Sequence, residues 1–141
     1  MGKSREEEHR AFLDWLRLYI VQSRADALVV AGDIFDTGTP PSYARTLYND
    51  FIVSLQNTGC AMTVILGGNH DSAATLNEAR ELLACLNTRV IGNITLDFKD
   101  HVLVLKDAAG HAGAILCAIP FIRPRDLVTS LAGQSGQDKK Q

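Results

Sequence analysis

Hydrophobic positions follow two periodicities along the chain, and their alternation predicts a mixed α/β structure. Apolar residues recur every three to four positions over 5–23, 42–58 and 73–86, which is the spacing of amphipathic helices. Between these segments lie two short apolar runs, Ala27–Ala31 and Met62–Leu66, which are typical of strands buried on both faces. The order αβαβα predicts parallel strands joined by right-handed crossovers.

The pattern changes in the second half of the chain. Val90–Ile94, Val102–Leu105 and Ala114–Ile119 are short strand-like runs separated by turn residues. They predict an added, partly antiparallel portion or a second sheet. One more helix is predicted over 125–131, and the polar, glycine-containing tail 133–141 is expected to be mobile.

Composition narrows the functional classes. The 141 residues are 46% hydrophobic and 21% charged, as in a globular protein, and the net charge of −2 provides no bulk basic field for nucleic acid. A local metal-based site is not excluded by this charge.

The scattered cysteines Cys60, Cys85 and Cys117 indicate buried free thiols in a reducing compartment. No apolar run approaches the ~20 residues of a membrane span, and the charged N-terminus lacks a signal-peptide core, so no membrane association and a cytoplasmic location are expected.

Two polar motifs directly follow the two apolar runs. Gly-Asp-Ile-Phe-Asp occupies 32–36 and Gly-Asn-His-Asp occupies 68–71. Because ligands of open α/β sheets bind beyond the carboxyl ends of the strands, we expect Asp33, Asn69 and His70 to converge there. A carboxylate that bridges two cations and an amide oxygen that binds one of them favour manganese or magnesium. The motifs therefore predict metal-assisted phosphate chemistry.

Neighbouring residues complete the predicted site. As an imidazolium, His70 would stabilise the developing charge on the phosphate or protonate the departing oxygen. The Asp36 carboxylate would accept a hydrogen bond from the other ring nitrogen and orient the ring. Asp71 has two interpretations, as a site residue or as the N-cap of the following helix.

The remaining arginine and histidine candidates have interpretations outside the site. Arg123 and Arg125 either contact phosphates or are merely solvated. His9, His101 and His111 are predicted to lie on the surface.

With these motifs the chain resembles the calcineurin-like metallophosphoesterases, and in particular a branch of DNA nucleases. The segments that carry the resemblance over almost the whole chain are 3–6, 11–16, 30–38, 40–49, 68–72, 75–78 and 120–126. The resemblance implies a two-sheet sandwich flanked by helices, present here as a partial domain over 1–132. It also implies that Asp33 bridges two metals, Asn69 binds the second metal, His70 is catalytic and Asp36 orients it.

The same resemblance implies an activity and partners. The expected reaction is hydrolysis of DNA phosphodiesters, as exonuclease and endonuclease, with two divalent ions, Mn²⁺ or alternatively Mg²⁺. The expected partners are DNA, an SMC-like ATPase subunit and a second nuclease subunit, in a homodimer within a heterotetramer. DNA repair, recombination and replication are the processes implied.

The chain departs from the family pattern at both ends. The family's opening Asp-x-His and its later single histidine and His-x-His pair have no match, so only two of the expected metal ligands are present. We therefore expect weak metal binding, little nuclease activity of this chain alone, and an exposed apolar edge beside Ala27–Ala31 that promotes instability. Two alternatives remain open: a phosphoesterase acting on nucleotides or small phosphodiesters, and a non-catalytic module that binds a partner.

Overall fold

The computed structural model describes residues 4–127, and within this range helices and strands alternate as the sequence predicts. The elements in chain order are α1 Glu6–Ser23, β1 Ala27–Ala31, α2 Ser42–Ser54, β2 Met62–Leu66, α3 Ala73–Asn77, α4 Arg80–Ala84, β3 Thr88–Ile91, β4 Val102–Lys106, β5 Ala112–Cys117 and α5 Pro124–Leu127. Short 3₁₀ turns follow α2 and precede β4. Both predicted strands are confirmed with their predicted bounds, but only β2 is buried, since every residue of β1 is partly or fully exposed.

The first sheet is parallel and has the strand order β1-β2-β3. Ala31 of β1 pairs with Leu66 of β2, and Leu66 pairs with Ile91 of β3, so the three strands end at the same level. The central strand β2 is buried from Thr63 to Leu66. Among the described residues β1 pairs on one side only, and its Val29 is exposed, which agrees with the predicted open edge.

A second, antiparallel sheet of β4 and β5 packs on one face of the first. Alternate side chains of β2 point to opposite faces, as in any strand. Val64 and Leu66 contact the hairpin through Leu103 and Ala118, whereas Ile65 lies in the helix-covered core. The predicted sandwich with flanking helices is therefore confirmed.

The predicted helix over 73–86 is wrong in one respect, because the segment forms two short helices. α3 ends at Asn77, whose side-chain amide donates a hydrogen bond to Asn93 Oδ1 at 2.9 Å. Asn77 also lies against Gly92, where a Cβ would approach its side chain to 3.0 Å. The interruption thus coincides with a tertiary contact that the apolar periodicity does not report.

The strands of the second half begin or end at residues other than those predicted. β3 starts at Thr88, because its parallel register with β2 begins at the Thr63–Thr88 pair. β5 starts at Ala112, since the Asp107 carboxylate accepts hydrogen bonds from the backbone of Ala109 and His111 and closes the hairpin turn tightly. Sequence alternation alone did not locate these boundaries.

His101 is buried, which contradicts its predicted surface position. Its Nδ1 lies 3.1 Å from the carbonyl oxygen of Ala118, and its Nε2 accepts a hydrogen bond from the backbone N–H of Thr95 at 3.0 Å. Both partners are backbone groups that only the folded chain brings to the ring. His9 and His111 are exposed, as predicted.

The other sequence expectations have mixed outcomes. The three cysteines are free, as predicted, but Cys85 and Cys117 are exposed rather than buried. None of the helices described over 4–127 is both long and apolar enough to cross a membrane. α5 covers the beginning of the predicted final helix 125–131; the rest of that helix and the tail 133–141 lie outside the described residues.

The hydroxyl group of Tyr48 provides a test of the helix-covered core. The ring packs edge-on against Phe35, with centroids 5.5 Å apart, and the buried hydroxyl has no hydrogen-bond partner among the described residues. Burial, and secondarily the charge of Asp71, raise the pKa of Tyr48 to about 12.

We predict that Tyr48→Phe leaves the free energy of unfolding unchanged or raises it by up to ~1 kcal/mol, because it removes an unsatisfied buried group. The pKa of Tyr48 is higher in the folded chain than in the unfolded chain. Wild-type stability is therefore complete below about pH 10 and falls as pH rises from there towards 12, because the unfolded chain then loses the Tyr48 proton more readily. The variant should lose less stability over that range. Urea unfolding at neutral and alkaline pH measures both effects; clear destabilisation of the variant at neutral pH would contradict the assignment.

Candidate functional site

The two motifs lie on loops at the same edge of the parallel sheet. The loop of 32–36 follows β1 and the loop of 68–71 follows β2, and these strands end in register. The predicted convergence of the two motifs is therefore found in the structure.

Close backbone approach explains the glycines of both motifs. Gly68 lies so near Asp33 that a Cβ would overlap the backbone nitrogen and Oδ1 of that residue. Gly32 has a φ of 101°, and Asp33 itself is left-handed with a φ of 50°. The turn after β1 is thus sharply bent and packed directly on the loop after β2, which favours glycine at both positions.

Asp71 holds the two loops together. The residue is 3% exposed, and its carboxylate accepts hydrogen bonds from the backbone N–H groups of Phe35 at 2.8 Å, Ile34 at 3.0 Å and Gly68 at 2.8 Å. It does not cap the following helix, which corrects one of its two predicted interpretations. Ser72 is the N-cap of α3, and its hydroxyl accepts from Thr75.

Asp33 and Asn69 line one cavity of about 300 Å³ at the ends of the strands. The wall opposite the two loops comes from the segment after β5, through Ile119, Pro120 and Phe121. Asp33 Oδ1 also accepts a hydrogen bond from the backbone N–H of His70 at 3.2 Å. The two predicted metal ligands therefore border the same space.

His70 makes a different contact from the one predicted. Its exposed ring places Nδ1 at 3.3 Å from the backbone carbonyl oxygen of Asp36, not from the Asp36 carboxylate. A carbonyl can fix the ring by accepting from Nδ1–H, but it adds no full negative charge. In this structure Asp36 thus contacts the ring through its backbone.

Arg123 is a residue of the site whose contacts the sequence did not predict. Its side chain is half-buried, and Nη2 donates to the backbone carbonyl oxygen of Asp71 at 2.7 Å, with those of Gly68 and Asn69 at 3.4 Å. Neither predicted alternative, phosphate contact or solvation, describes this arrangement. The side chain of Arg125 lies outside the described part of the chain.

The donor set fits part of a divalent-cation site. Asp33 supplies a carboxylate and Asn69 an amide oxygen, both of them ligand types that hard cations prefer. Over residues 4–127 no group of three or more histidine, cysteine, aspartate or glutamate side chains is placed to hold a metal. The roles of Asp33 and Asn69 as metal ligands stay a prediction.

Comparison with known proteins identifies the family. The model of the calcineurin-like phosphoesterase family matches residues 5–124. The chain belongs to this family. It is 56% identical over 140 residues to the SbcD subunit of the nuclease SbcCD from Escherichia coli K12, covering 99% of the chain and 34% of that protein. It is 36% identical over 132 residues to the protein of the same name from Rhodobacter capsulatus, covering 89% of the chain and 33% of the relative.

The family assignment has one direct chemical consequence. The predicted family resemblance is confirmed, and membership of a metallophosphoesterase family implies divalent metal ions. The chain spans about a third of the length of the relatives that it matches.

We predict that Asp71→Ala lowers the free energy of unfolding by about 3 kcal/mol, since it leaves one buried and two partly buried N–H groups without their charged acceptor. Asp71→Asn should cost less, because its amide oxygen retains some of these bonds. The matched control is Asp50→Ala, an exposed aspartate on α2, expected to change stability by less than about 1 kcal/mol. Equal effects of Asp71→Ala and Asp50→Ala in urea unfolding would contradict the role of Asp71.

Proposed function

We propose that the chain is part of a DNA nuclease subunit that hydrolyses phosphodiester bonds as exonuclease and endonuclease. The observation that carries the proposal is the shared cavity of Asp33 and Asn69, found in a phosphoesterase whose relatives are named as nuclease subunits. The cavity lies at the carboxyl ends of parallel strands, the edge at which α/β sheets bind ligands.

Each site residue has a proposed role. Asp33 and Asn69 would hold divalent ions, with Mn²⁺ as the proposed species. When bound, the ions supply Lewis-acid chemistry at the phosphate. His70 stabilises the developing negative charge or protonates the departing oxygen, and the backbone of Asp36 orients its ring.

The proposed setting is a larger assembly in the cytoplasm that processes DNA ends during repair, recombination and replication. We propose an SMC-like ATPase subunit and a second nuclease subunit as partners, because the relatives are named as subunits of a nuclease. The two oxygen ligands of the described chain support the further proposal that this chain alone binds metal weakly and cleaves little DNA.

A chimera tests the function. In the Escherichia coli relative, the matched third is replaced by this chain, and cleavage of linear duplex DNA is measured with Mn²⁺ and with Mg²⁺. We expect manganese-dependent cleavage of DNA. His70→Ala should lower it at least about a hundredfold while sparing Mn²⁺ binding in calorimetry, because a proton-transfer group is lost but no ligand.

The matched control is His9→Ala, an exposed histidine on α1, which should leave cleavage unchanged. Retained DNA cleavage by His70→Ala would refute its role. Turnover of a small chromogenic diester without any action on DNA would instead favour a phosphoesterase of small substrates. Tight binding of two Mn²⁺ ions by the isolated chain would refute the proposal that it holds only part of the site.

A further inference from the structure

The segment after β5 closes over the backbone of the loop 68–71. The N–H of Phe121 donates to the carbonyl oxygen of Gly67 at 2.8 Å, and two residues later Arg123 reaches the next carbonyls. Its Nη2 donates to Asp71 O at 2.7 Å and lies 3.4 Å from the carbonyl oxygens of Gly68 and Asn69. One guanidinium nitrogen thus contacts three carbonyls of the loop that carries the proposed ligand and the proposed catalytic histidine.

The backbone N–H groups of the same loop are also hydrogen-bonded, in their case to carboxylates. The carboxylate of Asp71 accepts from the N–H of Gly68, and Asp33 accepts from the N–H of His70. Negative groups therefore hold the amides, and a positive group holds the carbonyls. A peptide loop fixed on both polar sides has few remaining ways to rotate, so the backbone from which Asn69 and His70 project is held in one arrangement.

Arg123 is itself held in place from two sides. Its backbone N–H donates to Asp126 Oδ2 at 2.8 Å, and its guanidinium lies 5.8 Å from the centroid of the Phe121 ring. A cation near an aromatic ring is attracted by the ring electrons. The planar guanidinium has several donors in a fixed fork, which a lysine ammonium lacks.

We propose that Arg123 is a positioning residue, which fixes the loop 68–71 through its backbone carbonyls and thereby sets the positions of Asn69 and His70. Its importance for catalysis rests on the function proposed above. The contacts themselves do not, because both partners of each contact belong to this chain. The segment after β5 thus contributes to the site in two ways, as a cavity wall and as the support of the loop.

Amide hydrogen exchange of the full 141-residue chain, without metal or DNA, tests the proposal directly. In Arg123→Ala we expect exchange at the N–H groups of Gly68 and His70 to accelerate about tenfold, the effect of losing one charged hydrogen bond. Amides within β4 should exchange as in the wild type. Guanidinium ion at millimolar concentration should restore slow exchange in Arg123→Ala, whereas equal sodium chloride should not.

Two further variants keep the test decisive. Arg123→Lys retains one charged donor and should accelerate exchange at Gly68 and His70 less than Arg123→Ala does, so it reports on the same contacts if the alanine variant does not fold. Arg10→Ala removes an exposed arginine of α1 and should change none of these rates. Unchanged exchange at Gly68 and His70, or equal acceleration throughout the chain, would overturn the positioning role.

The chimera separates this proposal from the function on which it rests. If the chimera cleaves DNA, Arg123→Ala should lower kcat, and guanidinium should recover part of it. If the unmodified chimera cleaves nothing, the proposed function fails, while the exchange measurements still decide whether Arg123 fixes the loop. A lowered kcat without any local change in exchange would overturn the positioning role and leave the nuclease function standing.

Discussion

The buried carboxylate of Asp71 is the interaction on which the candidate site depends. Three backbone N–H groups from the ends of two different strands converge on its oxygen atoms. A buried carboxylate is costly unless it is fully hydrogen-bonded, so the fold keeps this group only by bringing both loops to it. The same two loops place Asp33 beside Gly68 and bring Asp33 and Asn69 to the edge of one cavity.

Both sheets position residues that line the cavity. The parallel sheet provides the floor, since β1 and β2 end in register and deliver both motifs at one level. The hairpin of β4 and β5 packs on this sheet through Leu103 and Ala118 and continues into the segment that forms the wall. A contact that anchors the hairpin, such as the bond from His101 to the carbonyl of Ala118, therefore also supports the wall of the site.

Much of the fold could be predicted because its signals are local. A short apolar run followed by glycine, as at Ala27–Ala31, needs no distant partner to be recognised as a strand. The division of 73–86 into two helices was not predicted in this way, and it coincides with a contact between Asn77 and Asn93 that local periodicity does not show. The burial of His101 likewise depends on backbone groups of two other segments.

The sequence by itself determined the α/β class, the two motif-bearing strands and the identities of Asp33, Asn69 and His70 as candidate site residues. Local periodicity and the residues after each strand suffice for this, because the ends of parallel strands must share one edge. Only the tertiary structure decided that Asp71 clamps the loops, that Asp36 contacts His70 through its carbonyl, and that Arg123 supports the loop. These contacts use backbone groups, which every residue carries, so no pattern of side chains along the chain can reveal them.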